Sequence, residues 1–234
     1  MLISIIIPVY NEQENLANSL SFLCEQANRF PLEIIVANSP ETSDETPKVC
    51  KQYAKVTFLN CKTKGRAAQM NAATKVAKGS IFLFLHADVL LPDDFYIQIK
   101  SVIQDGNQFG FFAYQFNKNS RLLAFNSKFT VKDGLFAGGG DQCHFFTKET
   151  FLKLKGYNEN FCIMEDFEMM DRIRKQKIPF AIIPSKATVS ARKYETNSWL
   201  KVNVINGYVF LKYKLGVDPI KLRKTYKSLL RESV

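Results

Sequence analysis

The chain has 234 residues, 46% hydrophobic and 23% charged, a size and balance that suit one globular core and exclude a disordered chain. No apolar run approaches the ~20 residues that span a bilayer, and Leu2 to Val9 lacks the basic leader and small-residue cleavage site of a signal peptide. The formal charge of +10 asks for anionic partners, while five cysteines without a CxxC pair, beside only two histidines, argue against a zinc site or disulfide framework.

In chain order, short β-branched runs alternate with helical patterns, the signature of βαβ units and a parallel sheet. Leu2 to Ile7 is a near-continuous apolar run, as in a strand covered on both faces, and Pro8 is expected to end it. A helix follows from about Glu12, with Leu16, Leu20, Leu23 and Ala27 at helical spacing. Leu32 to Val36 is a second strand; Asp44 and Thr46 start a helix whose first turn tolerates Pro47. Val56 to Leu59 is a third strand, and Gly65 opens a helix carrying Ala68, Ala72, Ala73 and Val76. Ile81 to Leu85 is a fourth strand that runs into His86-Ala87-Asp88.

After Pro92 the pattern changes. Phe109 to Phe116 reads as an aromatic-rich strand, Arg121 to Val131 as a short helix or loop, and Gly138-Gly139-Gly140 as a flexible joint before a strand at Gln142 to Phe146. Helices are expected over Lys148 to Lys155 and Glu165 to Gln176, a late strand at Phe180 to Ile183, and helices from Ser198 to Tyr213 and from Pro219. With no linker or repeat, 1–234 is taken as one domain: a nucleotide-sugar-binding half (1–110), an acceptor and catalytic half (111–190) and a helical tail (191–234).

From Arg192 onward ten basic residues face three acidic ones (Glu195, Asp218, Glu232). Trp199, Val202, Ile205, Val209 and Tyr213 recur at spacings of three and four, giving one apolar stripe. Such a stripe packs on its own domain, lies in a membrane interface helped by flanking lysines, or pairs two subunits as a homodimer. The cysteines Cys24, Cys50, Cys61, Cys143 and Cys162 are read as reduced, mostly buried thiols, and the protein as cytoplasmic, with a peripheral membrane contact through the basic tail as one option.

In an open parallel sheet, ligands bind beyond the carboxyl ends of the strands. Three polar clusters fall there: Pro8 to Glu12, Asn38 to Asp44, and His86 to Asp88. The first strand is not followed by GxGxxG, and no GxxxxGK[ST] exists, so an ordinary dinucleotide fold and a P-loop are both excluded. The run Ser4 to Leu16 (SIIIPVYNEQENL) resembles the opening of family 2 glycosyltransferases of the GT-A fold, an α/β Rossmann-like, mainly parallel sheet flanked by helices. Gly65 to Asn71 (GRAAQMN), Phe84 to Asp88 (FLHAD), Gly140-Asp141-Gln142 and Met164-Glu165-Asp166 follow in the family's order and spacing. The tail Ser190 to Tyr194 is similar to that of the bacterial radical-SAM/selenodomain-associated transferases.

The resemblance implies a nucleotide-diphosphate sugar as donor, an unidentified acceptor, and Mn2+ or Mg2+ as the ion. Its donor-binding residues would be Pro8, Tyr10, Glu12, Asn38, Arg66, Asn71, His86, Asp88, Gln142 and Arg192, with Asp88 as metal ligand. Physical chemistry agrees, since a hard divalent ion prefers carboxylate oxygens and phosphates and relieves the charge of a departing diphosphate. His86 stands where the family's DxD begins, which leaves it a supporting group or a core histidine. Asn38 replaces a usual aspartate against the base, which puts uracil in doubt.

Tyr10, Asn11 and Glu12 would lie under the nucleoside, and Arg66 and Arg192 would meet the pyrophosphate. The resemblance makes Asp166 the general base, with Glu165 beside it, and places Asp141 and Gln142 at the acceptor pocket. His144 is equally a structural residue. Three alternatives stand beside transfer: a nucleotidyltransferase on a similar fold, a noncatalytic nucleotide-sugar-binding protein, and a nucleic-acid binder, the last disfavoured because the charge comes without a recognition motif.

Overall fold

A computed structural model describes residues 1–231; the last three positions of the expected tail, 232–234, lie outside them. The first half follows the expected alternation: β1 (Ile3–Val9), α1 (Gln13–Arg29), β2 (Leu32–Asn38), α2 (Thr46–Lys51), β3 (Val56–Asn60), α3 (Arg66–Thr74) and β4 (Ile81–Phe84). These strands pair in parallel in the order β3-β2-β1-β4, as short hydrophobic strands separated by helical crossovers must. β1 does not stop at Pro8 but runs through it to Val9. The Ile6 carbonyl accepts from Leu85 N–H at 3.0 Å on the β4 side. Pro8, two residues on, points its missing donor to that same side, where β4 has already ended, so no ladder bond is lost.

The second half holds β5 (Val89–Leu90), α4 (Phe95–Gln104), β6 (Phe109–Phe116), α5 (Arg121–Lys128), β7 (Phe145–Thr147), α6 (Lys148–Lys153), α7 (Glu165–Lys175) and β8 (Phe180–Val189). Four corrections to the sequence expectations arise here. β5 and α4 were not anticipated. The strand expected from Gln142 begins instead at Phe145, because Gly140–Gln142 forms a 3-10 turn. β8 runs on to Val189 rather than stopping at Ile183, and it pairs in parallel with β6 through a bulge at Phe112/Ala113. The full sheet has the order β3-β2-β1-β4-β7-β6-β8-β5, mainly parallel, with antiparallel contacts at β4-β7, β7-β6 and β8-β5.

Two buried layers cover the sheet's faces, in register with strand alternation. Ile3, Ile5 and Ile7 meet Leu16, Leu20 and Leu23 of α1 and Phe95 and Ile99 of α4. Ile6, Phe82 and Phe84 meet Met70 of α3, Phe151 of α6 and Met169 and Ile173 of α7.

The tail forms α8 (Lys193–Thr196), α9 (Trp199–Lys214) and α10 (Pro219–Leu229). Ser198 caps α9, and Asp218 caps α10 through the N–H groups of Ile220 and Lys221, with Pro219 in its first turn. The predicted stripe packs on the protein itself: Val202, Ile205 and Val209 join Leu222 and Leu230 in a third apolar cluster, with Tyr213 at its edge. No described helix is long and apolar enough to cross a membrane.

Candidate active site

The loops after β1, β2 and β4 gather at one rim. After β1, Asn11 takes a left-handed backbone (φ 52°), and its side-chain oxygen accepts from Ser43 N–H at 2.9 Å, tying the first loop to the second. Thr46 accepts from Glu12 N–H at 3.0 Å, and Tyr10 stands 53% exposed at the mouth. Beneath them Gln69 of α3 is buried and donates through one nitrogen to the carbonyls of Val9 and Ala37, at 2.8 and 2.7 Å. That clamp holds the ends of β1 and β2 together. At the end of β2, Asn38 is buried and donates to Asn60, its register partner on β3, at 3.1 Å. The Asn38 Oδ1 is buried and has no hydrogen-bond partner among the described residues.

Two charged groups face each other across this rim. In the first, Arg192 donates to both carboxylate oxygens of Glu12 (3.1 and 3.4 Å) and pairs with Asp88 at 3.3 Å. Burial disfavours its charge, but Glu12 and Asp88 outweigh that and hold the guanidinium above its ordinary pKa. In the second, Arg66, the first residue of α3, pairs with the buried Glu165 at 3.2 Å. Asp166 lies beside Glu165 in the first turn of α7 and is itself buried. Burial, reinforced by the Glu165 charge, raises the Asp166 carboxyl to about 7 against the opposing pull of Arg66 and His86.

Gly140 sits between the groups. A Cβ there would lie 2.4 Å from the Asp166 Oδ2 and 2.9 Å from the His86 ring, so only glycine lets this turn pass between them. The turn carries Asp141, whose carboxylate lies 3.6 Å from His86 Nδ1. Burial works against Asp141's ionisation, yet the His86 contact, with Lys193 and Arg66 nearby, holds its pKa down at about 2. The preceding residue of α7, Met164, is left-handed (φ 65°), a backbone a non-glycine residue adopts only under constraint from its surroundings.

A profile described as Glycosyl transferase family 2 matches residues 4–173. The chain belongs to glycosyltransferase family 2. An uncharacterized glycosyltransferase of Rickettsia conorii is 30% identical over 139 residues, 58% of this chain and 22% of that protein. A dolichol-phosphate mannosyltransferase of Pyrococcus furiosus is 28% identical over 110 residues, 46% of this chain and 31% of that protein. The matches thus span less than a third of either relative's length. Among solved structures, the mannosyltransferase PcManGT of Pyrobaculum calidifontis, in complex with GDP-Man and Mn2+, superposes with a TM-score of 0.67 at 18% identity. That match covers 92% of this chain and 64% of that one, and the shared fold is GT-A.

In this family 2 chain the rim brings Glu12, Asp88 and Arg192 together, and separately Arg66, Glu165 and Asp166, with His86 and Asp141 between the groups. Arg192 lies beyond the family match. Two of the expected residues have side chains committed to backbone instead. Asn71 donates to the Tyr157 carbonyl and accepts from the Tyr157 N–H, which latches the loop after α6. Gln142 is buried, accepting from Gly138 and Gly139 and donating to Phe112 and Thr130.

His144 is structural: it is buried between Gly138 and Tyr157, and desolvation lowers its pKa to about 4, so it is neutral. All five cysteines are free. Sequence reasoning left Gln69 and Asn60 unassigned. Gln69 lay inside the quoted GRAAQMN motif, whereas Asn60 is marked only by strand register.

The residues at the rim fit a hard divalent ion shared with a substrate. Asp88 supplies a carboxylate beyond a strand end, and His86, two residues before it, is paired with Asp141. Among the described residues no three His, Cys, Asp or Glu side chains come together as a group that could hold a metal ion by themselves. Magnesium and manganese are commonly held by one or two carboxylates, with phosphate and water completing the shell.

Proposed function

We propose that this domain transfers a sugar from a nucleotide-diphosphate donor to an acceptor hydroxyl with inversion, in a divalent-metal-dependent reaction. The observation that carries this reading is the placement of Asp166: a buried carboxyl beside the Arg66–Glu165 pair, separated from the His86 loop only by Gly140, with burial and the Glu165 charge raising its pKa. A base poised near the working pH combines a deprotonated population with useful basicity.

Asp166 takes the proton from the acceptor hydroxyl as its oxygen bonds to the anomeric carbon. The bond from that carbon to the diphosphate oxygen breaks on the opposite face, and the electron pair leaves with the nucleoside diphosphate. Arg66 and Arg192 neutralise the departing charge; until then each is occupied by a carboxylate of the site. A bound Mg2+ or Mn2+ would supply Lewis-acid stabilisation of the phosphate oxygens, held by Asp88 with His86 and Asp141 adjacent. Glu12 orients a ribose hydroxyl, and the buried Asn38 Oδ1 receives a donor from the base. The GDP-Man and Mn2+ held by the Pyrobaculum mannosyltransferase support both donor class and ion.

We assign the reaction to the cytoplasm, which suits five free thiols, and turn the basic tail toward the membrane. The test is a thermal-shift screen of nucleoside diphosphates and nucleotide sugars with and without Mn2+, followed by transfer assays on Asp166→Asn. Donor stabilisation that needs the metal, and transfer lost in the variant while donor binding persists, is the expected result. Tight donor binding without turnover in the native protein would favour the noncatalytic alternative, and no stabilisation by any nucleotide would end the proposal.

A further inference from the structure

α9 carries two apolar stripes separated by polar residues. Its inner stripe, Val202, Ile205 and Val209, is buried, but Leu200, Val204 and Leu211 recur at helical spacing on the outer face and are 64%, 60% and 57% exposed. α5 lies alongside, joined to α9 by the Asn126–Asn203 hydrogen bond at 3.1 Å. It exposes Phe125 and Phe129, whose rings pack edge to face at 5.0 Å, with Phe129 64% exposed. Isolated surface hydrophobics need no explanation, but exposed apolar residues clustered on two helices that are tied to each other do.

The charge pattern around this face selects its partner. Between Arg121 and Lys132, and between Trp199 and Val217, there is no acidic residue, while Arg121, Lys128, Lys132, Lys201, Lys212 and Lys214 are basic. Lys214 is paired with Asp171, which leaves the other five for an outside anion. An apolar face with basic flanks and no acid matches a surface of hydrocarbon topped by negative headgroups. A self-complementary dimer would bring these like charges together. The loop from α5 leads directly to the Gly138–Gly140 turn beside Asp166, so whatever holds this face also fixes the acceptor side of the site.

We infer that the outer faces of α5 and α9 form a docking surface for an anionic lipid bilayer, one that holds the acceptor side of the site against the membrane. This rests on the membrane-facing placement of the tail proposed above and gives it residues; it moves the contact from tail charge alone to α5 and the outer stripe of α9.

The experiment is co-sedimentation of the full chain with vesicles of phosphatidylcholine alone or mixed with phosphatidylglycerol, at low and high salt. Binding to the mixed vesicles, weakened by salt, is expected. A Phe125→Ser, Phe129→Ser, Leu200→Ser, Leu211→Ser variant should lose at least roughly tenfold in partitioning. Lys128→Glu, Lys201→Glu, which alters no packed residue, should lose the preference for anionic vesicles. Thermal shift by nucleoside diphosphate in solution should be unchanged in both variants, and that readout separates failure of docking from failure of the transferase reading. Absence of binding to mixed vesicles, or equal binding by both variants, overturns the inference. A dimer in solution that the serine substitutions dissociate would assign the face to a second copy instead.

Discussion

Arg192 and Glu12 lie 180 residues apart in the chain, yet the guanidinium meets both carboxylate oxygens, at 3.1 and 3.4 Å, and still reaches Asp88 at 3.3 Å. One cation therefore ties the residue that opens the tail to the loops after β1 and β4. A bound diphosphate would compete with these carboxylates for the same guanidinium. Arg192→Ala should weaken nucleoside diphosphate binding about tenfold, equivalent to about 1.4 kcal/mol. Arg192→Lys should restore little of this, because an ammonium lacks the planar fork that spans two acceptors. Isothermal titration with nucleoside diphosphate in the presence of Mn2+ measures both.

Asp166 makes a pH prediction of definite sign. Its folded pKa lies near 7, and catalysis requires the ionised base, so kcat/KM should rise with pH through an inflection close to that value. Stability should run the other way. Because its pKa is raised from 3.8, the folded state holds a proton that the unfolded state has released, so between about pH 4 and 7 folding stability falls as pH rises. Asp166→Asn should therefore remove transfer by a factor of roughly 10² to 10⁴ while stabilising the fold at neutral pH by on the order of 1 kcal/mol. A variant that loses stability along with activity would mean the carboxylate is structural.

Gly140 tests the spacing between the two charged groups. Alanine there would place its Cβ 2.4 Å from Asp166 and 2.9 Å from His86. The groups must give way, and displacement of a base by about 1 Å costs on the order of 10²-fold in rate. kcat should fall by at least roughly tenfold with donor affinity within about twofold, since Glu12, Asn38 and Arg192 are untouched. Steady-state kinetics against donor concentration separate the two quantities.

The parallel half of the fold was legible because each strand is a short apolar run bounded by a helical pattern, and the polar clusters at its strand ends are those that form the rim. α4 was missed although Phe95, Ile99 and Val102 keep helical spacing after Asp94; the charged pair Asp93-Asp94 beyond Pro92 reads as a turn. β7 was displaced because Gln142, Cys143, His144 and Phe145 look like an alternating strand. Gln142 is drawn instead into capping the turn before it, and left-handed Cys143 (φ 52°) breaks the pattern.

Within the site, charge-bearing residues were readable from motif and order. Amides were not, since whether Asn71 or Gln142 faces a ligand or a carbonyl depends on which distant loop arrives beside it. Periodicity showed the stripe of α9 but could not choose between the domain, a membrane and a second subunit; Val202, Ile205 and Val209 are buried in the protein itself.

Gln69 should matter to stability rather than chemistry. It is the buried donor shared by the carbonyls of Val9 and Ala37, and Gln69→Ala strips that donor from both. The Val9 carbonyl keeps its bond from Ser39 N–H at 2.9 Å, so the change costs the clamp's two hydrogen bonds, about 1–3 kcal/mol together. At about 2–4 °C per kcal/mol for a domain of this size, the melting temperature should fall by roughly 2–12 °C. Gln69→Glu should be no better, because a carboxylate would face two acceptors. Thermal unfolding of both variants decides it, and a melting temperature unchanged in Gln69→Ala would show that the strand ends hold without the clamp.

Asp88 carries the metal prediction. Its side chain is partly exposed in the loop after β4, paired with Arg192 alone among the described residues, two residues beyond the His86 that pairs with Asp141. Removing divalent ions with a chelator should abolish transfer, and Mn2+ or Mg2+ should restore it in the native chain but not in Asp88→Ala. The variant should also lose the extra thermal stabilisation that Mn2+ adds to nucleoside diphosphate binding, a readout independent of turnover. Loss of Asp88 also removes one of the two carboxylates that hold Arg192, leaving Glu12, so binding of the diphosphate without metal should be unchanged or tighter in the variant. Turnover at native levels in Asp88→Ala, or full turnover in chelator, would remove the ion from the reaction and leave Arg192 and Arg66 as its sole counter-charges.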